Sequence, residues 1–307
     1  MNVGQPSLDQ LRIFLAVVDE GSFNQAARKL GRAVSVISYG IANLEAQLGV
    51  GLFAREGSRR PQLTEAGEAL LSEARAIADD VDALMAKARG MLQGLEAELP
   101  LAVDVMVPGK VLAQILHDFQ RLFPTVTLRL HVEALGAIAA LVLDGRADLG
   151  IGGPDIVEHP ELERLMTGSV ELVPVAAPSH PLALSGAIRP GAVRKHLQLV
   201  LTDRSRLTAG RDFSVFSPRS WRLADLGAKH ELLREGIGWG HMPRHAVAAD
   251  LASGALIELA LPERPRICYE LNALWRKDTP PGPAARWVLD AFGERLPQTR
   301  FTSGAGE

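Results

Sequence analysis

Three arginines early in the chain have the type and spacing needed to bind phosphate. Arg55, Arg59 and Arg60 lie in one short segment that ends at Pro61. A guanidinium group stays charged at physiological pH, and its parallel N–H donors match two phosphate oxygens. The formal net charge of the whole chain is −3, so affinity for nucleic acid must come from a local basic surface. We therefore expect this segment to contact a phosphate backbone.

A second place where charge could act is Lys110, which follows Val107, Pro108 and Gly109. An apolar run predicted as a strand ends there and a predicted helix begins, so the backbone N–H groups of Gly109 and Lys110 could hold a carboxylate. This pattern favours a small anionic ligand. The alternative, which the sequence leaves open, is that Lys110 is a solvated surface residue that the helix dipole slightly disfavours.

Patterns that would indicate catalysis or metal binding are missing or poorly placed. His241 and His245 are four residues apart, but Pro243 separates the strand-like run around His241 from the following helix, which argues against a metal site. The Gly236–Gly238 segment lacks the spacing of a dinucleotide fingerprint. The single cysteine, Cys268, excludes an intrachain disulfide and a thiolate zinc site. We expect no enzymatic activity, no metal and no cofactor.

Short helices must position the arginine segment. The first is predicted to begin with a capping box formed by Ser7 and Gln10 and to end at Gly21. The second is predicted to begin with a similar box formed by Ser22 and Gln25. This second helix is expected to be short and to run through Leu30, where Gly31 suits the left-handed turn that ends it.

The third predicted helix has two different faces. Its inner face is apolar and consists of Ile37, Ile41, Leu44 and Leu48. Its outer face consists of Ser35, Ser38, Tyr39, Ala42 and Asn43. Two short helices joined by a tight turn, the second with a polar outer face, are typical of a helix-turn-helix, although a plain three-helix bundle fits the same pattern. The candidate DNA-contacting residues are Ser22, Ser35, Val36, Ser38, Tyr39, Asn43, Arg55, Arg59 and Arg60.

The residues after the third helix favour the DNA-binding interpretation. Leu52 and Phe53 are expected to anchor a short ribbon, the three arginines follow, and Leu63–Thr64 opens a new helix. An arginine-bearing hairpin directly after a recognition helix is what a wing requires, because its guanidinium groups reach phosphates beside the major groove. A winged helix-turn-helix is therefore predicted.

Residues between Leu8 and Gly67 carry a family resemblance. They are Ala26–Ala27, Leu30, Ser38, Ile41, Leu44–Glu45, Leu48–Gly49, Leu52–Phe53, Arg55, Leu63–Thr64 and Ala66–Gly67. Together they resemble the DNA-binding domain of LysR-type transcriptional regulators, without gaps. The family usually has Ser-Gln-Pro or Ser-Gln-Ser entering the recognition helix, whereas this chain has Ala33–Ser35. Because alanine is a poor helix cap, we expect Ser35 to take over the cap and the helix to start slightly later.

A long helix is predicted next, because no proline occurs from Thr64 to about Leu95. Apolar residues alternate there in steps of four and three, at Leu70, Ala74, Ile77, Val81, Leu84, Ala88, Met91 and Leu95. An amphipathic helix lying on its own domain would fit, but the length and strict spacing favour pairing between chains. The resemblance implies the same: this is the family's linker helix, which forms a dimer here through Leu70, Ile77, Val81 and Leu84 and permits a tetramer.

The remaining chain alternates between strand-like and helical patterns after a predicted hinge at Gly94–Pro100, which predicts a parallel α/β architecture. The segments Phe123–Pro124, Gly145 with Asp148, His180–Leu182 and Gly236–Pro243 resemble the family's effector domain. That domain is similar to periplasmic solute-binding proteins. The resemblance implies two lobes joined by crossing strands, with the last strand and helix returning to the first lobe.

The predicted organisation has three parts, and the overall fold class is α/β with an all-α N-terminal domain. Residues 1–65 form the winged helix-turn-helix, 66–95 the dimerisation helix and 96–300 the effector domain. The first lobe covers about 99–165 and 267–297, and the second about 166–266.

The resemblance also extends the candidate effector site. Thr202 corresponds to an effector-contacting hydroxyl of the family, or it caps a loop, and Asp203 is its neighbour. The predicted effector-contacting residues are Pro108, Gly109, Lys110, Thr202 and Asp203. The predicted function is a cytoplasmic, sequence-specific regulator of transcription that binds double-stranded DNA, forms a homodimer or homotetramer, has no membrane partner and responds to a small, anionic effector between the lobes. The alternative is an α/β solute-binding or enzymatic protein whose N-terminal helices serve only contacts; the arginine hairpin and the heptad pattern argue against it.

Overall fold

The computed structural model describes residues 4–54, 60–92, 94–154, 159–185, 187–203, 205–208, 210–211, 213–262 and 266–297. The chain divides into two compact units, Met1–Gly90 and Met91–Glu307. Arg55 and Arg59 lie outside the described residues.

Four helices make up the first unit: α1 Leu8–Glu20, α2 Phe23–Leu30, α3 Val34–Leu48 and α4 Glu65–Leu92. The capping box predicted at the start of α1 is confirmed, because the Ser7 hydroxyl accepts from the Gln10 backbone N–H and the Gln10 side chain accepts from the Ser7 N–H. The first three helices end at Gly21, Gly31 and Gly49, whose φ angles are 62°, 65° and 74°. Glycine adopts this left-handed conformation without the steric cost that a Cβ brings.

The starts of the second and third helices differ from the prediction in one respect each. Ser22 occupies the N-cap of α2, but its side chain makes no capping hydrogen bond, so the second capping box does not form. Helix α3 begins at Val34 and not after Ser35, with Ala33 at the N-cap in an extended conformation. The Ala33 carbonyl accepts the backbone N–H groups of Val36 and Ile37, so the backbone alone starts this helix.

The core of the first unit lies between α1 and α3. Ile13, Phe14 and Val17 of α1 and Ile37 and Leu44 of α3 are at most 2% exposed. These positions repeat at three- and four-residue intervals, which places them on one face of each helix. The opposite face of α3 is thereby directed away from the core.

The chain after α3 folds back on this core. Glu45 accepts the backbone N–H groups of Leu52 at 2.6 Å and Phe53 at 3.1 Å, and Phe53 forms an antiparallel bridge with Leu63. At the start of α4, a Cβ added to Gly67 would lie 2.2 Å from the Leu52 carbonyl oxygen, so only glycine allows this close approach. The base of the predicted wing is therefore held between α3 and α4.

Helix α4 contains 28 residues, and its N-terminal part packs on its own unit. Ala74 is buried in the core. Arg75 pairs with Asp19 of α1 at 2.7 Å, and Asp82 pairs with Arg12 of α1.

No helix in the described part of the chain combines the length and apolar character needed to cross a membrane.

The second unit is built on one mixed sheet. Its strands are β1 Glu98–Asp104, β2 Thr127–Glu133, β3 Leu149–Gly152, β4 Leu162–Ala176, β5 Gln198–Leu201, β6 Ser220–Leu223, β7 Trp239–Pro243, β8 Ile257–Glu258 and β9 Ile267–Arg276. Its helices are α5 Gly109–Leu122, α6 Gly136–Leu143, α7 Pro181–Leu184, α8 Leu226–Arg234, α9 Ala248–Ser253 and α10 Pro283–Arg295, with a 3₁₀ turn at Ala192–Lys195. The strand order is β2-β1-β3-β9-β4-β7-β5-β6, and β8 pairs with β4.

The sheet forms two lobes. The first lobe contains parallel β1, β2 and β3 with α5, α6 and α10. The second contains β5, β6 and β7 with α8. The long strands β4 and β9, here called the crossing strands, pair antiparallel and join the lobes. The predicted return of the last strand and helix is confirmed, because β9 pairs with β3 and Arg295 of α10 pairs with Asp118 of α5 at 2.7 Å.

Three further sequence-based expectations are corrected. The sheet is mixed and not wholly parallel, because β9 runs back along β3 and β4. Pro100 lies inside β1, which begins at Glu98 within the predicted hinge. The helix predicted over 244–253 begins only at Ala248, since residues 244–246 form a turn.

Candidate DNA-contacting surface and interlobe cavity

The outer face of α3 is the first candidate surface. Ser35, Val36, Ser38 and Tyr39 are all exposed, and Asn43 is half-buried. Tyr39 stands out with 69% of its surface accessible. A large amphipathic ring that is exposed on a helix can stack on or hydrogen-bond to a partner. The residues predicted to face DNA therefore do lie together on one accessible helical face.

The predicted wing is partly described. Ala54 donates its backbone N–H to Gln62 at 2.9 Å, and Thr64 donates to Leu52 at 3.0 Å, so the two arms of the predicted wing pair at its base. Arg60 is exposed at the returning arm. Ser22, also predicted to contact DNA, sits at the N-cap of α2 and is half-buried.

The second half of α4 carries an exposed apolar stripe. Ile77, Leu84 and Met91 of the predicted seam are 48%, 64% and 57% exposed, whereas Leu70 and Val81 are half-buried. Adjacent Leu92 is 88% exposed. Large apolar side chains aligned along one helix are a common feature of surfaces that pair with another chain.

A cavity of about 290 Å³ lies between the lobes of the second unit. The first lobe contributes Met106 and Leu135, the crossing strands Ile267 and Tyr269, and the second lobe Gln198, Lys229 and His241. Apolar residues are more numerous in the lining, while polar groups contribute nearly half of its surface. This combination is typical of a site for a small organic molecule.

Lys229 is the buried cation of this cavity. Its side chain rises from α8 and is 3% exposed, and its Nζ donates to the backbone carbonyl of His241 at 2.7 Å. Burial lowers the pKa of Lys229 to about 7, because removal from water disfavours the charged ammonium. The lysine is thus enclosed where a ligand in the cavity could reach it.

Asp104 is the buried acid beside the same cavity. It ends β1, and it accepts from the Tyr269 hydroxyl at 2.8 Å and from the Met106 N–H at 2.9 Å. Burial raises the pKa of Asp104 to about 6, although these hydrogen bonds and those from the backbone of Leu135 and Gly153 oppose the shift. The carboxyl group therefore ties the first lobe to a crossing strand.

The residues predicted to contact the effector do not line this cavity. Gly109 and Lys110 are exposed in the first turn of α5, and Pro108 is half-buried at its N-cap. Thr202 and Asp203 line a smaller recess with Arg211 and Arg222. Thr202 and Asp203 therefore lie at the edge of the interlobe region, while other residues line the cavity of about 290 Å³.

The Asp203 carboxylate is already engaged within its own loop. It accepts from Ser205 at 2.8 Å and from the Thr208 hydroxyl. This loop presses on the start of α6, where a Cβ added to Gly136 would lie 2.6 Å from Thr208 and 3.0 Å from Asp203. The loop therefore bridges the two lobes beside the cavity.

Sequence reasoning missed Lys229, although a signal was present. Lys229 is in phase with Leu226 and Leu233 at the three- and four-residue spacing of the inner face of α8. A lysine on an otherwise apolar face is uncommon, because burial of its charge is costly. That irregularity could have marked the position. Among the residues that the structure describes, no group of acidic, histidine or cysteine side chains is placed to hold a metal ion.

Both parts of the chain match models of one protein family. Residues 8–68 match the family model described as "Bacterial regulatory helix-turn-helix protein, lysR family", and residues 92–297 match "LysR substrate binding domain". The chain is 31% identical over 259 residues to the uncharacterised HTH-type transcriptional regulator YeeY of Escherichia coli, covering 83% of both chains. It is 29% identical over 287 residues to the HTH-type transcriptional regulator PunR of Escherichia coli, covering 92% of both.

A solved structure has a similar fold. A cysteine mutant of OxyR from Corynebacterium glutamicum aligns with a TM-score of 0.52 and 22% identity, over 95% of this chain and 94% of that one. The named relatives are transcriptional regulators and not enzymes.

Proposed function

This chain belongs to the LysR-type transcriptional regulators, and from that premise we propose how it works. Regulators of this family bind DNA and small-molecule effectors. We propose that α3 and the arginine hairpin bind double-stranded DNA in the cytoplasm, that α4 pairs two chains, and that a small anion between the lobes controls the outcome.

The observation that carries the DNA-binding proposal is the division of α3 into two faces. Ile37 and Leu44 are fully buried, while Ser38 and Tyr39 project from the opposite side. The hydroxyls of Ser38 and Tyr39 can donate to or accept from base edges in the major groove. Arg60, with Arg55 and Arg59, would supply sequence-independent affinity through phosphates.

The proposed pairing of chains rests on the stripe of α4. Ile77, Leu84 and Met91 are spaced by seven residues, so they form one line along a helix that pairs with its copy. A dimer presents two reading helices, which matches the two-fold symmetry of a palindromic site. A tetramer would join two such dimers.

The proposed response to an anion rests on the interlobe cavity. A ligand that binds one arrangement of the lobes better than another shifts the population toward it. The effector contacts predicted at Pro108, Gly109, Lys110, Thr202 and Asp203 remain a proposal for the rim of this region.

The test is binding of the full-length protein to DNA upstream of its own gene and the adjacent genes. Fluorescence anisotropy should show one fragment bound at least a hundredfold more tightly than scrambled DNA of equal length, since specific complexes exceed non-specific ones by about 10³ or more. Equal affinity for all fragments would contradict sequence-specific regulation at these sites.

A further inference from the structure

The side chain of Lys229 is buried in the second lobe, between α8 and the sheet. Strands β5 and β7 pair at Gln198 and Trp239. Two residues farther along β7, the Nζ of Lys229 donates to the His241 carbonyl at 2.7 Å. The stem of the lysine runs past Gly240, where an added Cβ would lie 3.2 Å from the lysine Cε. The ammonium group is thus delivered from α8 to the end of the sheet that faces the cavity.

The charge of this lysine has no acidic partner within the described part of the chain. No ion pair joins Lys229 to a carboxylate there, and burial is the cause of its lowered pKa. A buried ammonium without a counter-ion is costly, and an apolar side chain of similar size would pack there at lower cost. The described side chains therefore leave the ammonium group without a counter-ion, and a ligand in the adjoining cavity can fill that role.

The cavity beside the ammonium restricts what that counter-ion can be. Its volume of about 290 Å³ corresponds to roughly ten water molecules at about 30 Å³ each. Leu135, Leu199, Phe213 and Ile267 provide apolar surface beside the polar groups, which favours a ligand with an apolar body over a small hydrated ion. The space suits an organic acid with one carboxylate and a compact apolar body of about ten non-hydrogen atoms.

We propose that Lys229 is the charged anchor of the effector and that the effector is a small monocarboxylate with a compact apolar body. This inference rests on the proposed function, in which the interlobe cavity holds the effector, and names its ligand class and anchoring residue. The carboxylate pairs with Nζ while the apolar body fills the space against Leu135 and Ile267. Lys110, which is exposed on α5, is too well solvated to supply the same attraction.

The test uses two probes of the same shape, cyclohexanecarboxylate and its neutral analogue cyclohexanecarboxamide. Isothermal titration with the full-length wild-type protein at pH 6.5 should show at least tenfold tighter binding of the carboxylate. Lys229→Met should reduce that ratio to about one. Lys195→Met, at an exposed lysine of the second lobe that does not line the cavity, is the matched control and should leave the ratio unchanged. Lys110→Met tests the lysine at the rim.

A second variant and a second binding assay test the role of Lys229 independently of the first experiment. If Lys229→Met does not fold, Lys229→Gln removes the charge but retains a donor for the His241 carbonyl, and the same loss of preference is expected. Competition with the carboxylate for a bound environment-sensitive dye would repeat the ranking independently of heat effects.

Several outcomes would overturn the inference. It fails if wild type binds neither probe, binds both equally, or keeps its preference in the Lys229 variants. Loss of the preference in Lys110→Met alone would place the anchor on α5. If the protein still selects one DNA fragment while binding neither probe, the ligand class and anchor are wrong and the proposed DNA recognition stands. If it binds the carboxylate through Lys229 but selects no DNA, the proposed function fails and the anchor stands.

Discussion

The hydroxyl of Tyr269 donates a hydrogen bond to Asp104 Oδ2 at 2.8 Å, and both residues are at most 5% exposed. Tyr269 belongs to crossing strand β9, and Asp104 ends β1 of the first lobe. The same Tyr269 hydroxyl approaches Gly153 so closely that an added Cβ would lie 1.9 Å from it. This buried bond therefore holds Tyr269, which lines the interlobe cavity, against the first lobe, and its strength depends on pH.

Asp104 should make stability fall as pH rises from about 4 to 6. Its pKa is about 6 in the folded protein, above the ordinary value of 3.8, so the folded state holds the proton more tightly. The resulting stabilisation is complete below pH 3.8 and is lost as pH rises through about 6. Relative to the Asp104→Asn variant, the unfolding free energy of the wild type should fall by roughly 3 kcal/mol between pH 4 and pH 6. Urea unfolding at half-unit pH steps measures it, and parallel curves for the two proteins would contradict it.

Lys229 should have the opposite effect at higher pH. Its pKa of about 7 lies below the ordinary 10.5, so the unfolded state binds the proton more tightly between these values. Stability should therefore rise with pH above 7, by at most about 1.4 kcal/mol per pH unit. Unfolding of wild type and Lys229→Met, without ligand, from pH 6.5 to 9.5 checks this. A constant difference in unfolding free energy between the two proteins would show that the pKa of Lys229 is not lowered.

The hairpin arginines should act through phosphates. Replacing Arg55, Arg59 or Arg60 singly by alanine should weaken binding to specific and scrambled DNA by similar factors. Each change should also lower the slope of log affinity against log salt by about one. Anisotropy titrations at several salt concentrations measure both quantities. Arg121→Ala, at an exposed site of the second unit, is the control, and loss of binding to one sequence only would refute the phosphate role.

Tyr39 should act differently, through sequence selection. Tyr39→Ala removes a ring that is 69% exposed on the outer face of α3, so the fold should be retained. We expect specific binding to weaken by about 1–3 kcal/mol, with scrambled DNA bound nearly as before. The ratio of the two affinities is the diagnostic, and an unchanged ratio would remove Tyr39 from base readout.

The apolar stripe of α4 should hold two chains together. Glutamates at Ile77 and Leu84 together would place unpaired charges at the seam and should raise the dimer dissociation constant at least a hundredfold. Glutamates at Ala76 and Ala83, which are exposed on a neighbouring face, carry the same charge and should have little effect. Analytical ultracentrifugation compares the two double variants. A dimer that survives the first pair unchanged would place the interface elsewhere.

The sequence by itself determined the features that depend on neighbouring residues. The capping box of Ser7 and Gln10 and the glycine ends of the first helices require only local backbone geometry, and the inner face of α3 follows from helical spacing. The family resemblance then supplied the two-lobed architecture, including the return of the last strand and helix.

Sequence-based rules for helix capping did not predict every helix start in the first unit. The start of α3 at Val34 was missed because the Ala33 carbonyl opens the helix without a side-chain cap. Propensity ranks residue types at a cap, but the packed position of the helix decides where it begins.

Only the tertiary structure decided which cation belongs to the cavity. Lys110 has a favourable local pattern, yet it is solvated on α5, whereas Lys229 is enclosed. The enclosure comes from α8, β5, β7 and the crossing strands, which are distant in sequence and meet only when the sheet assembles. Desolvation is a property of that assembled environment, so the residue type and spacing of a lysine cannot reveal by themselves how its charge is balanced.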